Sequence, residues 1–396
     1  MPEGHSAAKA ALRELWPLPR GLTFLNHGAF GLTPKLVLSA QARLKREMER
    51  DPPHFFDHHR LLPRLEAARR AAAEALGARV EDLVFVDNAT TGANAVLQAF
   101  QLPPGAEIVT TDQVYPAIRN AARHRLSALA GRLIEAPLPW PAASDEEIVA
   151  SVEAALTPRT ALAVFDLIAA RGALRMPVER LCALCRARGI PVLIDAAHGP
   201  GQLPLDLPAL GADWVVGNLH KWFFAPRGCA VLWVRPDRAA DLHPTVISHG
   251  YGGGLAVEFG WTGTRDVTAF LSAPAAIEFH RRLGGPALME RNRRLASDAA
   301  ALLAQAWGTD LAGLPEQRWA MAAVRVPTDA EGEDAARLLH GRLLKRRRIQ
   351  VPVFPFKGAL WLRVSAQAYN EPSDYRRLAE AVLIEAPKLD SRAASG

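Results

Sequence analysis

Between residues 65 and 235 short apolar runs alternate with helix-patterned runs, and this alternation constrains the fold more than any other feature of the chain. "LEAARRAAAEALG" reads as a helix and "DLVFVDN" as a strand; "TGANAVLQAFQL" is helical, "EIVTTD" extended, "AIRNAARHRLSALA" helical and "RLIEAPL" extended. The series goes on through "DEEIVASVEAAL" (helix), "ALAVFDLIA" (strand), "VERLCALCRARG" (helix), and the strands "PVLIDAA", "DWVVGN" and "CAVLWVR". Strands apolar on both faces and separated by helices imply a mainly parallel sheet covered on both sides. The expectation is an α/β domain with a doubly wound sheet of about seven strands.

Beyond residue 266 the texture changes to long Ala, Leu and Arg helices, "FLSAPAAIEFHRRL" and "LMERNRRLASDAAALLAQAW". A smaller α+β segment follows, with strands in "MAAVRVP", "IQVPVF" and "ALWLRVSAQ", a helix in "DAARLLHGRLLKRR" and a final helix. We therefore expect an N-terminal segment over residues 1–30, a large domain over 31–275 and a small C-terminal domain over 276–396, with "RRLGGPAL" at the junction and a frayed tail at "SRAASG".

Composition narrows the classes of function. Apolar residues are 49% and charged residues 22% of the chain, ordinary for a globular protein. No apolar run is long enough to span a membrane, and the first twenty residues lack the apolar core of a secretory signal, so a cytoplasmic protein with no membrane partner is expected. The net charge of +6 raises the question of nucleic acid, but the one basic run, "KRRR" at 345–348, closes a helix-patterned segment, and no nucleic-acid motif accompanies it. Three cysteines make no disulfide framework. Cys182 and Cys185 share helical spacing without a second ligand pair, so they read as helix packing, and no metal is expected. "GYGGG" at 250–254 lacks the spacing and the following helix of a dinucleotide loop and reads as a loop near the site.

Ligands in open α/β sheets bind beyond the carboxyl ends of the strands, where this chain places polar groups. "FVDNATTGAN" opens a helix with Asn88, Thr90, Thr91 and Gly92; it is either an anion site or a capped helix start. "VLIDAAHGPG" ends a buried strand in Asp195, which either meets a cation or caps the turn, and His198 follows. "VVGNLHKWFF" supplies Asn218, His220 and Lys221. Of the forty-seven basic residues only seven are lysine, and Lys221 is the sole lysine between positions 46 and 344. A chain that uses arginine elsewhere places an amine here, in apolar surroundings that lower its pKa and make it a nucleophile toward carbonyls.

Six motifs in order, "FLNHGAFG", "NATTGAN", "DAAHGPG", "GNLHKW", "WTGTRD" and "RVSAQAYN", span residues 24–370. Together they resemble the class V aminotransferase family of pyridoxal 5'-phosphate (PLP) enzymes, fold type I, and within it the branch of isopenicillin N epimerase and the ergothioneine-type carbon–sulfur lyases. The resemblance implies that Lys221 forms the Schiff base with PLP and acts as general base, that Asp195 pairs with the pyridine nitrogen, and that His198 lies near the phenolic oxygen. It implies Tyr115 stacked on the ring, and a phosphate held by Thr90, Thr91, Gly92, Asn218 and His220, with Thr264 reaching from a second subunit of a homodimer. Asn26 and His27 would face the substrate, and Arg363 would grip its carboxylate. The implied activity proceeds through an external aldimine and an α-carbanion of a small amino acid, as a carbon–sulfur lyase or epimerase, with transamination as the alternative and a PLP-fold sensor or scaffold as the non-enzyme one. The chain departs from the family at "DLIAARGALRMP", where Ala169 and Ala170 replace the usual hydroxyl residues. No cysteine follows Cys229, which removes the persulfide-forming nucleophile of the desulfurases.

Overall fold

The computed structural model describes residues 12–389, so residues 1–11 of the N-terminal segment and the tail expected to fray lie outside the described residues. The first strand, β1 (Thr23–Phe24), is short. The seven strands expected from the alternation all form: β2 (Leu83–Val86), β3 (Glu107–Thr111), β4 (Arg132–Ala136), β5 (Thr160–Asp166), β6 (Val192–Asp195), β7 (Trp214–Asn218) and β8 (Ala230–Val234). They make one sheet in the order β2-β8-β7-β6-β5-β3-β4. Only β8 runs antiparallel, against both β2 and β7; every other pairing is parallel.

Alternate residues of each strand feed opposite layers, as the pleat requires. Leu83, Phe85, Ala163, Phe165, Val192, Ile194 and Val215 pack with the helices His58–Ala75, Asp145–Ala155, Val178–Ala187 and Ala273–Arg282. Val84, Val86, Leu162, Val164, Leu193, Val216 and Leu232 pack with Ala89–Ala99 and Pro116–Ser127 on the other face. Cys182 and Cys185 lie buried in the first of these layers, and burial pushes their thiols up to about 12 and about 11. Local signals set the helix starts: Asn88 accepts from Thr91 N at 2.9 Å, and Ser144 and Glu147 form a reciprocal capping box.

The C-terminal region has a core of its own. Strands β9 (Met321–Arg325), β10 (Ile349–Gln350), β11 (Val353–Phe356) and β12 (Ala359–Ser365) follow, with β11, β12 and β9 forming an antiparallel sheet in that order. "IQVPVF", expected as one strand, is two: Pro352 cannot continue a ladder, and β10 pairs instead with β1 in parallel. "FLSAPAAIEFHRRL" likewise divides at Ser272 into Thr268–Leu271 and Ala273–Arg282, with Pro274 in the first turn of the second. "GYGGG" does lead into a helix, the six-residue Leu255–Gly260. The "KRRR" run closes the helix Gly332–Arg347, with Arg346 and Arg347 paired to the buried Glu385. No helix among the described residues is long and apolar enough to cross a membrane.

Gly92 lets the helix Ala89–Ala99 approach the sheet. A Cβ there would sit 2.7 Å from Val216 Cγ1 and 3.3 Å from Val86 Cγ2. The Gly92→Val variant is expected to lose about 1–3 kcal/mol of stability from overpacking, read as a lower midpoint in chemical denaturation; an unchanged midpoint would contradict this packing role.

Candidate active site

The parallel pairing of β5, β6 and β7 brings three polar residues to one edge of the sheet. Asp166 and Asp195, the last residues of their strands, are register partners, and Asn218 ends β7 beside them. The chain then turns through Leu219–Trp222, which carries His220 and Lys221. Across β8, the exit of β2 supplies Asp87, Asn88, Ala89 and Thr90. These residues line a cavity of about 390 Å³ together with Ala29, Phe30, Tyr115, Ile168, Ala170, His198 and Arg227. A wider depression of about 610 Å³ beside Trp214, at the amino end of β7, lacks such a gathering of strand-end groups.

Lys221 is the centre of the site. Burial brings its amine down to about 8, the carboxylate of Asp195 opposing this and the guanidinium of Arg363 adding to it. Its Nζ lies 3.2 Å from His198 Nε2. The Trp222 indole, which can only donate, makes a long 3.5 Å contact with His198 Nδ1. Nδ1 thus faces a donor, and Nε2 faces the amine. Burial, with the positive charge of Lys221, drives His198 well below its ordinary range, so the ring is neutral. Its backbone is fixed as well: the Gln202 amide donates to His198 O at 2.7 Å and accepts from Ala320 N at 3.1 Å.

Asp195 Oδ1 accepts from Ala197 N at 2.9 Å, so it caps its turn and faces the amine as well. Asp166, buried to 4% exposure, has an Oδ2 with no hydrogen-bond partner. Sequence reading missed Asp166, although "VFDL" ends a strand in aspartate just as "LIDA" does one strand over. Arg363, on β12, is buried and donates to Ala170 O, while its Nε is unpartnered. Burial lowers it to about 10, still a cation at neutral pH.

Several expected roles shift. His27 does not face the cavity: its ring is fully buried, Nε2 donates to Lys221 O at 2.9 Å, and Nδ1 accepts from Tyr369 Oη at 2.8 Å. Burial takes it to about 3, so it is a neutral clamp on the lysine's backbone. Asn26 is also buried and outside the cavity lining, with Oδ1 unpartnered. Gly31 continues the clamp; at φ 67° it passes so close to His220 O and Lys221 that any Cβ would collide. Thr91 and Gly92 do not line the cavity, because Asn88 caps Thr91 N and Oγ1 and Gly92 packs on Val216. Thr90 and Asn88 form that wall, and Asn218 Oδ1 accepts from Ala89 N at 2.9 Å. His220 lines it too, its Nδ1 donating to Cys229 O at 3.1 Å. Tyr115 lines the mouth and is 42% exposed. Thr264 is exposed and apart from this cavity, on a segment pinned by Arg265 donating to Asp87 at 2.7 Å. None of the three cysteines lines the cavity.

The sequence profile of the family Aminotransferase class-V matches residues 54–347. A putative L-cysteine desulfhydrase 1 of Oryza sativa subsp. japonica is 35% identical over 399 residues, covering 91% of this chain and 83% of that protein. An isopenicillin N epimerase of Amycolatopsis lactamdurans is 36% identical over 400 residues, covering 95% and 98%. Among solved structures, the cystine C-S lyase C-DES in complex with cysteine persulfide superposes with a TM-score of 0.77 at 20% identity, over 92% of this chain and 97% of that one.

The chain therefore belongs to the class V aminotransferase family. It is a PLP-dependent enzyme of fold type I, in the lyase and epimerase part of that family. The donor set fits the cofactor: a buried near-neutral amine for an aldehyde, a buried carboxylate for a protonated ring nitrogen, and Asn218, His220 and Thr90 at the opening of a helix for a phosphate.

Because the neutral amine is the nucleophile, PLP uptake by the apoprotein is expected to quicken as pH rises through about 8 and then level off. Stopped-flow absorbance would show this, and a midpoint near the ordinary lysine value of 10.5 would contradict the burial argument.

Proposed function

We propose that the enzyme cleaves the carbon–sulfur bond of a small β-thiol amino acid such as L-cysteine, releasing sulfide, ammonia and pyruvate. The observation that carries this reading is a single near-neutral amine, Lys221, in one small cavity with a buried cation, Arg363, set against its wall, and without any cysteine to accept sulfur.

When bound, PLP supplies an electron sink that weakens the bonds at the α carbon of an attached amino acid. Lys221, Asp195, His198, Asn218, His220, Thr90 and Tyr115 are the residues that would hold it. Asp195 keeps a negative charge at the strand ends. The Lys221 amine takes the α proton, and as an ammonium it can return a proton to the departing sulfur, so one group serves both transfers. Neutral His198 holds the amine's orientation without competing for that proton. Arg363 orients the substrate carboxylate, exchanging its contact with Ala170 O for a charged one. Ile168, Ala170 and Ala29 give that end of the cavity apolar walls, which suit a short side chain.

The L-cysteine desulfhydrase relatives support this substrate class. Epimerisation is the second reading, favoured by the likeness to isopenicillin N epimerase over nearly the whole of both chains. The working unit in this proposal is a homodimer; Thr264, exposed on its own chain, and the exposed apolar side chains of Phe30, Val246, Ile247 and Tyr251 support it.

PLP-loaded protein given L-cysteine should release sulfide and pyruvate in equal amounts. Lys221→Ala is expected to lower turnover about 10²- to 10⁴-fold, and Arg363→Gln to raise KM roughly ten- to a hundredfold, equivalent to about 1.5–3 kcal/mol for a charged hydrogen bond. Inversion of the amino acid without sulfide would overturn the lyase reading in favour of the epimerase.

A further inference from the structure

Asp166 has no part in the roles assigned so far, yet it stands where a second anion would be most costly. It ends β5 beside Asp195 at the end of β6, and the two are register partners. Adjacent strands run about 4.8 Å apart, and register partners project to the same face. Both carboxyls line the cavity and both are 4% exposed. The charged and titratable groups around Asp166 are few. Asp195 faces it from β6, Lys221 from the turn after β7, and Arg119 from the helix Pro116–Ser127. Tyr115, just before that helix, gives it a backbone N–H. Arg119 is engaged elsewhere, paired with Glu135 at 2.7 Å, and the nearest amine is shared with Asp195.

Two anions in this position would face a single amine that burial already disfavours as a cation. The asymmetry between them is visible in their partners. Each accepts a backbone N–H, Asp195 from Ala197 and Asp166 from Tyr115, but the Lys221 amine acts chiefly on Asp195, whereas Asp166 keeps an unpartnered Oδ2 inside the cavity wall. Burial, followed by the charge of Asp195, holds Asp166 well above the ordinary carboxylate range.

We propose that Asp166 and Asp195 form a carboxyl pair holding one proton, carried by Asp166, and that the Asp166 hydroxyl donates a hydrogen bond to a polar edge of the bound cofactor. Asp195 is then the single anion of the pair. Asp166 is a cofactor-binding residue that reads an acceptor atom, a task for which the neighbouring Ile168, Ala169 and Ala170 have no side-chain donor. The inference rests on the PLP assignment.

Two substitutions test it through cofactor binding and colour, independently of turnover. Asp166→Asn keeps a neutral donor of the same shape; Asp166→Ala removes it. The PLP dissociation constant, from fluorescence quenching, should change less than about threefold for Asp166→Asn and rise about tenfold or more for Asp166→Ala, the size of a buried hydrogen bond. The pH midpoint of the visible absorbance of the loaded protein, without substrate, should stay within about 0.3 of wild type in Asp166→Asn, since no charge is removed. A midpoint in Asp166→Asn lower by about one unit or more would show that Asp166 is an anion and overturn the proposal, as would equal loss of affinity in both variants or undiminished affinity in Asp166→Ala. Wild-type protein that takes up no PLP would instead overturn the cofactor reading itself, and thermal melts of both variants separate loss of fold from loss of the hydrogen bond.

Discussion

Parallel pairing of β5, β6 and β7 is the constraint on which the rest of the molecule depends. Parallel strands end together, so a polar residue closing each apolar run arrives at the same edge: Asp166, Asp195 and Asn218. The strands behind them are buried on both faces, with Val164, Leu193 and Val216 on one and Phe165, Ile194 and Val215 on the other. This apolar mass removes water from the strand ends and shifts the protonation of the groups buried among it. Lys221 is brought to about 8 and His220 to about 4, with burial the largest cause in each case. Chemistry at this edge is a consequence of how the sheet is made.

Much of this was legible in the sequence because it depends on local pattern. The seven strands of the main sheet follow from apolar runs bounded by turn residues, and Lys221 and Asp195 stand out as charged residues in strand-end motifs. What escaped depends on contacts between distant segments. His27 resembled a substrate-facing group by motif, but its surroundings are Lys221 O and Tyr369, 194 and 342 residues away. Thr91 and Gly92 carry the composition of an anion loop, yet Asn88 takes the first and Val216 crowds the second. "IQVPVF" divides because β1, from the other end of the chain, claims β10.

Charge around the amine is kept in balance by a few specific contacts. Arg363 is buried behind the cavity wall with Ala170 O as acceptor. Ala170 has no side-chain acceptor, so its backbone carbonyl supplies one. The result is a site in which the cation is held by main chain and the amine by a neutral imidazole, with the Asp195 carboxylate opposing the burial of the amine.

The clamp of His27 on Lys221 also bears on how the protein is made. The residue that fixes the lysine's backbone comes from the start of the chain, and the tyrosine that fixes that residue comes from near its end, after β12. A ribosome has already released the whole main sheet before Tyr369 exists, so a nascent chain can display the strand-end aspartates and the lysine without the finished enclosure around them. Contacts of such long sequence separation pay a large loop-closure entropy before they are rewarded. The clamp on the lysine's backbone is thus complete only when segments from both ends of the described residues are in place.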